Sequence, residues 1–174
     1  QLPIIKATTV HIPVILGAIL LGPWAGVILG ATFGICSLVS NTIAPTLTSF
    51  AFSPFLSMSG IVGALKAVWI SVGCRILIGL GAGWFWILLK KLKVSDAVSL
   101  ALTGFVGSMI NTGTVMGSIY RMFAREYAQA REVAFEAVFG LIMGTVTASG
   151  IPEAIAAAVL VAVIGKVLIK VKVV

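Results

Sequence analysis

The sequence predicts an all-α membrane protein, and three observations lead to that fold class. Of the 174 residues, 60% are hydrophobic and only 10% are charged, whereas a soluble domain carries about 25% charged residues. The apolar runs are long and contain glycine, whereas the strands of a membrane barrel alternate over about ten residues. The basic residues stand mostly at the ends of these runs, where they set membrane topology, so the net charge of +7 does not indicate a nucleic-acid partner.

The chain begins with a predicted outer loop over residues 1–11, followed by a helical hairpin over residues 12–42. The apolar run Ile12–Leu21 is about 15 Å long as a helix, which is too short to cross a hydrocarbon core of about 30 Å. Gly22 and Pro23 then predict a tight turn, after which a second apolar run is long enough to span the membrane.

Glycines recur every four residues along the second half of this hairpin, at Gly22, Gly26, Gly30 and Gly34. This spacing places them on one helix face, where the absence of side chains lets another backbone approach closely. Two interpretations remain open. The face packs against a helix of the same chain, or it docks to a separate membrane protein.

Residues 43–60 are predicted to form a second outer loop. The stretch is rich in Ser and Thr and contains two Pro and three Phe. It is too short and too polar to span a bilayer, and too apolar for an ordinary exposed loop. It is therefore expected either to fold over a binding site or to rest on the lipid headgroups.

The next helical stretch, over residues 61–91, gives the clearest indication of sidedness. It ends with Trp84 and Trp86, followed by lysines at positions 90, 91 and 93. Because tryptophan favours the membrane interface and lysine the cytoplasmic side, this end is predicted to be cytoplasmic. A bend is expected near Gly73.

Further helical stretches are predicted over residues 94–123, 131–149 and 151–171. Pro152 is expected to separate the last two, because proline removes a backbone donor from a helix interior. Lysines at 166, 170 and 172 end the final stretch on the cytoplasmic side. Residues 124–136 are assigned to the outer face, although the arginines at 121, 125 and 131 run against the rule that basic residues stay inside.

Polar side chains interrupt the stretch Ile110–Arg121, at Asn111, Thr112, Thr114 and Ser118. Uncompensated polar groups are costly in hydrocarbon, so these groups are expected to face a cavity, a neighbouring helix or a ligand. We interpret the stretch as one wall of a polar pocket near the outer face of the membrane.

Arg75, Glu153 and His11 are further candidate site residues. A guanidinium inside a membrane span needs a partner, and its planar fork suits a carboxylate. Arg75 is therefore expected either to pair with Glu153 or to bind a ligand that carries a carboxylate. Glu153, Asn111 and His11 each have a second possible role. Glu153 could cap a helix, and Asn111 could form a hydrogen bond to a neighbouring helix. His11 is alternatively a cap or an interface residue.

No catalytic or metal-binding arrangement is evident in a sequence with one His and one Asp. An HExxH motif, a close Cys–His pair and paired intramembrane aspartates are all missing, so an enzyme is not expected. A Walker A loop is missing as well. Any energy from ATP must therefore come from another chain, and no cofactor is expected in this one.

Several motifs resemble the substrate-binding S components of energy-coupling factor (ECF) vitamin transporters. They are ATTVHIPVILGAILLGPWAG, NTIAPTLTSFAFSPF, CRILIGL, GSMINT with VMGSIY, and GIPEAI. The resemblance extends over nearly the whole chain. Within the family, NTIAPTLTSF and GIPEA are most similar to the pantothenate-specific branch.

The resemblance implies one integral membrane domain over residues 1–174, built as a bundle of six transmembrane helices. The first helix is expected to precede Gln1 and to be missing from this chain. The implied activity is substrate binding for an ATP-driven importer of the bacterial plasma membrane. The implied partners are a small vitamin, a transmembrane coupling subunit, two ATPase subunits and the lipid bilayer. The vitamin is captured at the outer face under loops, and the whole subunit then topples in the membrane.

The resemblance also implies a site for pantothenate, a small anion with hydroxyl and amide groups. The expected site residues are Arg75 for the carboxylate, Asn111, Thr112 and Glu153 for the other polar groups, and His11, Thr46 and Phe50 in the closing loops. Riboflavin, folate or biotin remains an alternative substrate, and a self-contained channel or proton-coupled carrier an alternative function. The inner half of the sequence offers mainly Gly, Ala and apolar residues, which favours a one-sided pocket over a continuous path.

Overall fold

A computed structural model describes residues 10–57 and 59–172, and nearly all of them are helical. No strand occurs in this described part of the chain, which confirms the all-α prediction. Four of its helices are long and apolar enough to cross a membrane, so the chain is a multi-pass membrane protein. Of the outer loop predicted over residues 1–11, residues 1–9 lie outside the described part.

The first two helices form the predicted hairpin. Helix α1 (Ile12–Leu21) has ten residues and helix α2 (Pro23–Ile43) has 21. Gly22 joins them with a φ of 96°, a conformation that residues with a side chain rarely adopt. Helix α2 extends one residue beyond the predicted end of the hairpin, and the Ala44 backbone N–H closes its last turn on the Ser40 carbonyl oxygen at 2.9 Å.

The glycine face of α2 packs against helix α3, which comprises Gly60–Val68, the π-helical segment Trp69–Gly73 and Cys74–Lys91. A Cβ added at Gly26 would lie 2.7 Å from the carbonyl oxygen of Gly79. The backbones of the two helices are therefore in direct contact. This confirms packing within the chain for three of the four glycines, while Gly22 serves the turn.

Helix α4 (Asp96–Arg131) is longer than predicted. The predicted end at residue 123 coincides with a kink and not with the end of α4, because the segment that follows consists largely of Ala, Arg, Glu and Gln, which favour helix. The backbone nevertheless breaks at Phe123, which has φ −134° and ψ 21°. The Phe123 side chain is fully buried, and helix α4 ends before Glu132 in the left-handed conformation.

Helix α5 comprises Val138–Thr145, the π-helical segment Val146–Gly150 and Ile151–Lys172. The prediction of separate helices over 131–149 and 151–171 is therefore wrong. In a regular α-helix the Pro152 ring would clash with the carbonyl four residues earlier. The wide π-helical turn immediately before Pro152 accommodates the ring, and the helix continues without a break.

The loop between α2 and α3 is folded and partly buried. It contains two 3₁₀ turns, Ser49–Ala51 and Pro54–Leu56. The Ser49 hydroxyl donates to the side-chain oxygen of Asn41 at 2.8 Å and accepts a bond from the Thr46 backbone N–H at 2.8 Å. These bonds tie the loop to the end of α2, so it lies over the bundle.

Two apolar clusters fill the bundle, one at each end. The cluster beneath the loop includes Phe50, Ile70, Cys74, Val115, Ile119 and Phe123. The other, toward the lysine-rich ends, includes Ile12, Ile15, Ile78, Ala82, Leu100 and Val161. Along α3 and α4, Arg75 and Asn111 fall between the two clusters, so the polar groups occupy a layer of their own.

Candidate functional site

A cavity of about 300 Å³ lies among α3, α4 and α5, beneath the loop between α2 and α3. Its polar wall is formed by Arg75, Asn111, Thr112, Thr145, Ser149 and Glu153. At 1.5 Å per residue, Arg75 and Asn111 both lie roughly 23 Å from the helix ends that carry Lys91 and Asp96. The polar side chains of three helices therefore meet at one level of the bundle.

Arg75 is the most unusual group in this wall. Its side chain is 8% exposed, and its Nε and Nη1 atoms are buried without a hydrogen-bond partner among the described residues. The guanidinium lies 5.1 Å from the ring centre of Phe33 and 5.8 Å from that of Phe52. Aromatic faces stabilise its charge but leave its N–H donors free.

The alternative that Arg75 pairs with Glu153 is not what the structure contains. Among the described residues the one ion pair within 4.0 Å joins Lys90 to Asp96 at the far end of the bundle. The two groups share the cavity without touching, and a buried, unpaired guanidinium is costly. The cavity is therefore suited to a ligand whose anionic group completes the fork of Arg75.

Glu153 stands on α5 three residues after the π-helical segment, and it is partly buried. The alternative that it caps a helix is wrong, because α5 runs through this position without a new start. Its carboxylate accepts hydrogen bonds only, whereas Arg75 only donates them. The cavity thus has a donor side and an acceptor side, which fixes the direction of a ligand with different groups at its two ends.

Of the four polar residues of the stretch on α4, two face the cavity and two do not. Thr112 is 7% exposed and, like Asn111, lines the cavity. The Thr114 hydroxyl bonds the Ile110 carbonyl oxygen at 2.7 Å. Ser118 accepts a bond from the indole N–H of Trp69 at 3.3 Å, so it serves contact between helices.

The alternative role of Asn111, a hydrogen bond to a neighbouring helix, is not found in the described part of the chain. Its side chain makes no hydrogen bond with any residue that the structure describes, and its Oδ1 atom is buried without a partner. An amide offers two N–H donors and one carbonyl acceptor. Asn111 therefore adds unsatisfied donors and an unsatisfied acceptor to the same layer as Arg75.

The structure places His11 beside the site rather than in its wall. The ring is fully buried, and neither nitrogen has a partner within residues 10–57 and 59–172. It makes no side-chain cap bond to α1, so the capping alternative is wrong. His11 precedes α1 and lies outside the four spanning helices. Burial, and secondly the positive charge of Arg75, lower the pKa of His11 to about 4. The ring is therefore neutral near pH 7 and adds no second positive charge.

Thr46 and Phe50 are not among the residues of the cavity wall, which corrects the prediction for both. Thr46 is exposed and uses its backbone N–H to hold Ser49. The Phe50 ring packs edge-on against Phe123, with 5.8 Å between ring centres. Both residues hold the loop in place, while Phe52 reaches the cavity.

Sequence reasoning missed Phe33, Phe52, Thr145 and Ser149. The signal for Phe33 was present, because it neighbours Gly34 on the helix that packs against α3. Thr145 and Ser149 could not be assigned, because their direction depends on the π-helical segment, which rotates the helix faces on either side of it relative to a regular helix.

Comparison with known proteins gives two findings. The family model of the substrate-specific component of ECF transporters matches residues 1–165. The pantothenic acid transporter PanT of Lactococcus lactis subsp. cremoris (strain MG1363) is 35% identical to this chain over 120 residues. That alignment covers 68% of this chain and 59% of the transporter, so the chain matches less than two thirds of its relative's length.

Proposed function

This chain belongs to the substrate-specific components of ECF transporters, and we propose from that premise that it binds pantothenate for an ATP-driven importer. The bilayer-embedded subunit captures the vitamin, and a transmembrane coupling subunit with two ATPases supplies the energy. The chain itself provides recognition and needs no cofactor for it. Its similarity to a pantothenic acid transporter supports this choice of substrate.

The observation that carries the proposal is the free donor fork of Arg75 inside a polar cavity. A carboxylate is the group that this fork binds best, because two parallel N–H···O bonds form at once. Pantothenate has its carboxylate at one end and hydroxyls at the other, with an amide between them. The carboxylate binds Arg75, Asn111 bonds the amide, and Thr112 and Glu153 bond the hydroxyls.

The surroundings of the cavity support a binding protein over a channel. The cluster around Ile15, Ile78 and Leu100 closes the bundle toward the lysine-rich ends with apolar side chains. A continuous aqueous path would need polar groups on several helices through that half, whereas its buried polar side chains among the described residues, Ser99, Thr103 and Ser108, all lie on α4. A one-sided cavity suits a subunit that holds its substrate until a partner acts.

Calorimetry on the purified protein tests the proposal, with pantothenate, riboflavin, folate, biotin and pantothenol as ligands. Pantothenol replaces the carboxylate of pantothenate by an alcohol and keeps the rest. Because it would leave Arg75 unpaired, we expect binding at least about 100-fold weaker than for pantothenate. No heat with pantothenate would contradict the assigned substrate, and equal affinity for pantothenol would contradict the role of Arg75.

A pair of variants separates ligand binding from general charge effects. Arg75→Gln keeps a polar side chain but loses the bidentate fork, so the same loss of about 100-fold is expected for pantothenate. Arg131→Gln removes an exposed arginine at the end of α4 and should bind as the unaltered protein does. Retained affinity in Arg75→Gln would mean that the carboxylate binds elsewhere.

A further inference from the structure

A second cavity, of about 320 Å³, lies beside the break in α4 and away from the proposed vitamin site. Lys66 of α3 contributes one cation to its wall, and Arg121 and Arg125 of α4 contribute two more. Glu126 is the acidic residue in this wall. The described lining thus carries three positive charges against one negative charge.

Lys66 is held in this wall by the break in the helix. Because Phe123 is not helical, the carbonyl of Met122 is free to accept a bond from outside α4, and Lys66 Nζ donates to it at 3.3 Å. The same ammonium lies 5.8 Å from the ring centre of Phe123. An ammonium has three N–H donors, so Lys66 is held in place with donors to spare.

Arg121 and Arg125 have no partner in the described part of the chain. They stand four residues apart on α4, where like charges repel each other, and neither side chain makes a hydrogen bond or an ion pair with a described residue. The Glu126 Oε1 atom already accepts a 2.7 Å bond from the hydroxyl of Ser59. Glu126 thus offsets only one of the three positive charges, and the cluster keeps an excess of two positive charges.

The height of this cluster matches a layer of lipid headgroups. Along α3, Lys66 lies roughly 37 Å from Lys91, and a bilayer measures about 30 Å across its hydrocarbon core and 40–45 Å with its headgroups. Trp69 and Tyr120 stand just below the cluster, half exposed, and Phe139 packs edge-on against Tyr120. Tyr120 also lines the cavity, and because exposed aromatic residues of this kind favour the membrane interface, the cavity lies at the height of the lipid headgroups.

We propose that Lys66, Arg121 and Arg125 bind the phosphate headgroup of an anionic phospholipid in the outer leaflet. The guanidinium groups bond the phosphate oxygens, and the apolar surface around Trp69 and Tyr120 receives the acyl chains. This site accounts for arginines on the side of the membrane that basic residues normally avoid, because a bound lipid neutralises them. It does not depend on the proposed substrate.

Native mass spectrometry of the whole protein tests the proposal, with phosphatidylglycerol and phosphatidylcholine added in equal amounts. We expect one phosphatidylglycerol to be retained in preference to phosphatidylcholine. The double variant R121Q/R125Q should weaken that retention roughly 10- to 30-fold, from about 1 kcal/mol per basic residue near the surface. The double variant R121K/R125K keeps both charges and should retain the lipid.

The matched control is K166Q/K170Q, which removes two exposed lysines with the same spacing from the other end of the bundle. It should retain phosphatidylglycerol as the unaltered protein does. If R121Q/R125Q and K166Q/K170Q lost phosphatidylglycerol equally, the proposal would be overturned, because net charge alone would then explain the retention. Equal retention of phosphatidylcholine would overturn it too, as would displacement of the lipid by inorganic phosphate, which would indicate a site for a free anion.

Discussion

At the scale of single residues, Phe50 and Phe52 have different roles: Phe50 anchors the loop between α2 and α3, and Phe52 belongs to the proposed binding site. They stand two positions apart in the same loop, yet Phe50 is 6% exposed and packs against Phe123, whereas Phe52 lies over the guanidinium of Arg75. A 3₁₀ turn at Ser49–Ala51 directs the two rings to different places. Sequence alone could not tell them apart, because the loop has no regular periodicity to assign a face.

Leucine at either position tests this division of roles. Phe52→Leu removes an aromatic face from Arg75 and should weaken pantothenate binding about fivefold, since such contacts contribute roughly 1 kcal/mol. Because Phe52 is only partly buried against the core cluster, its replacement should lower the ligand-free melting temperature less than that of Phe50. Phe50→Leu should lower that temperature, because a core ring is lost at a cost of about 1 to 2 kcal/mol. Thermal denaturation and calorimetry measure both. An equal drop in melting temperature for the two variants would make Phe52 a packing residue.

At the scale of helices, close backbone contact and π-helical turns together set the site. Gly30 lies directly against the carbonyl of Arg75, so the α2–α3 contact fixes the height of the guanidinium. A π-helical segment precedes Arg75 on α3, and another precedes Glu153 on α5. The glycine spacing predicted the close contact between α2 and α3. The sequence indicated the π-helical segments only in part, through an expected bend near Gly73 and an expected break at Pro152.

Gly30→Ala tests whether this contact positions the site. A Cβ at Gly30 would collide with the Arg75 carbonyl, so α2 and α3 must separate. We expect a loss of about 1 to 3 kcal/mol of stability and at least about tenfold weaker pantothenate binding. Gly140→Ala is the control, because a Cβ there meets no atom of the described residues within 4 Å and alanine favours helix by up to about 1 kcal/mol. Unchanged binding in Gly30→Ala would contradict the positioning role.

At the scale of the whole molecule, the bundle is layered from one end to the other. Lysines mark one end, an apolar cluster follows, the polar cavity comes next, and the loop with the second cavity forms the other end. This order was predictable from the sequence, because hydropathy and the positions of basic residues along the chain determine how deep each segment lies in the membrane. The cavity walls were predictable only in part, since the facing of each side chain depends on the loop anchor and the π-helical turns.

Sidedness is the last prediction, and labelling of single cysteines measures it. In a Cys36→Ala background, with Cys74 kept because it is buried, cysteines are placed at Leu47, Arg131 and Lys91, all of which are exposed. A membrane-impermeant maleimide should label positions 47 and 131 in intact cells, and position 91 only after permeabilisation. The lysine clusters place position 91 inside.

Position 131 is the decisive one in that experiment, because a positive-inside count that gave full weight to the outer arginines would draw this end toward the cytoplasm. Helices α3 and α4 are antiparallel neighbours joined by the short turn after Lys91, so position 131 must lie opposite Lys91 across the bilayer. If position 91 were labelled before position 131 in intact cells, the orientation of the protein in the membrane would be the reverse of the predicted one. The polar cavity and its loop would then belong to the cytoplasmic half, where capture of an external vitamin is impossible.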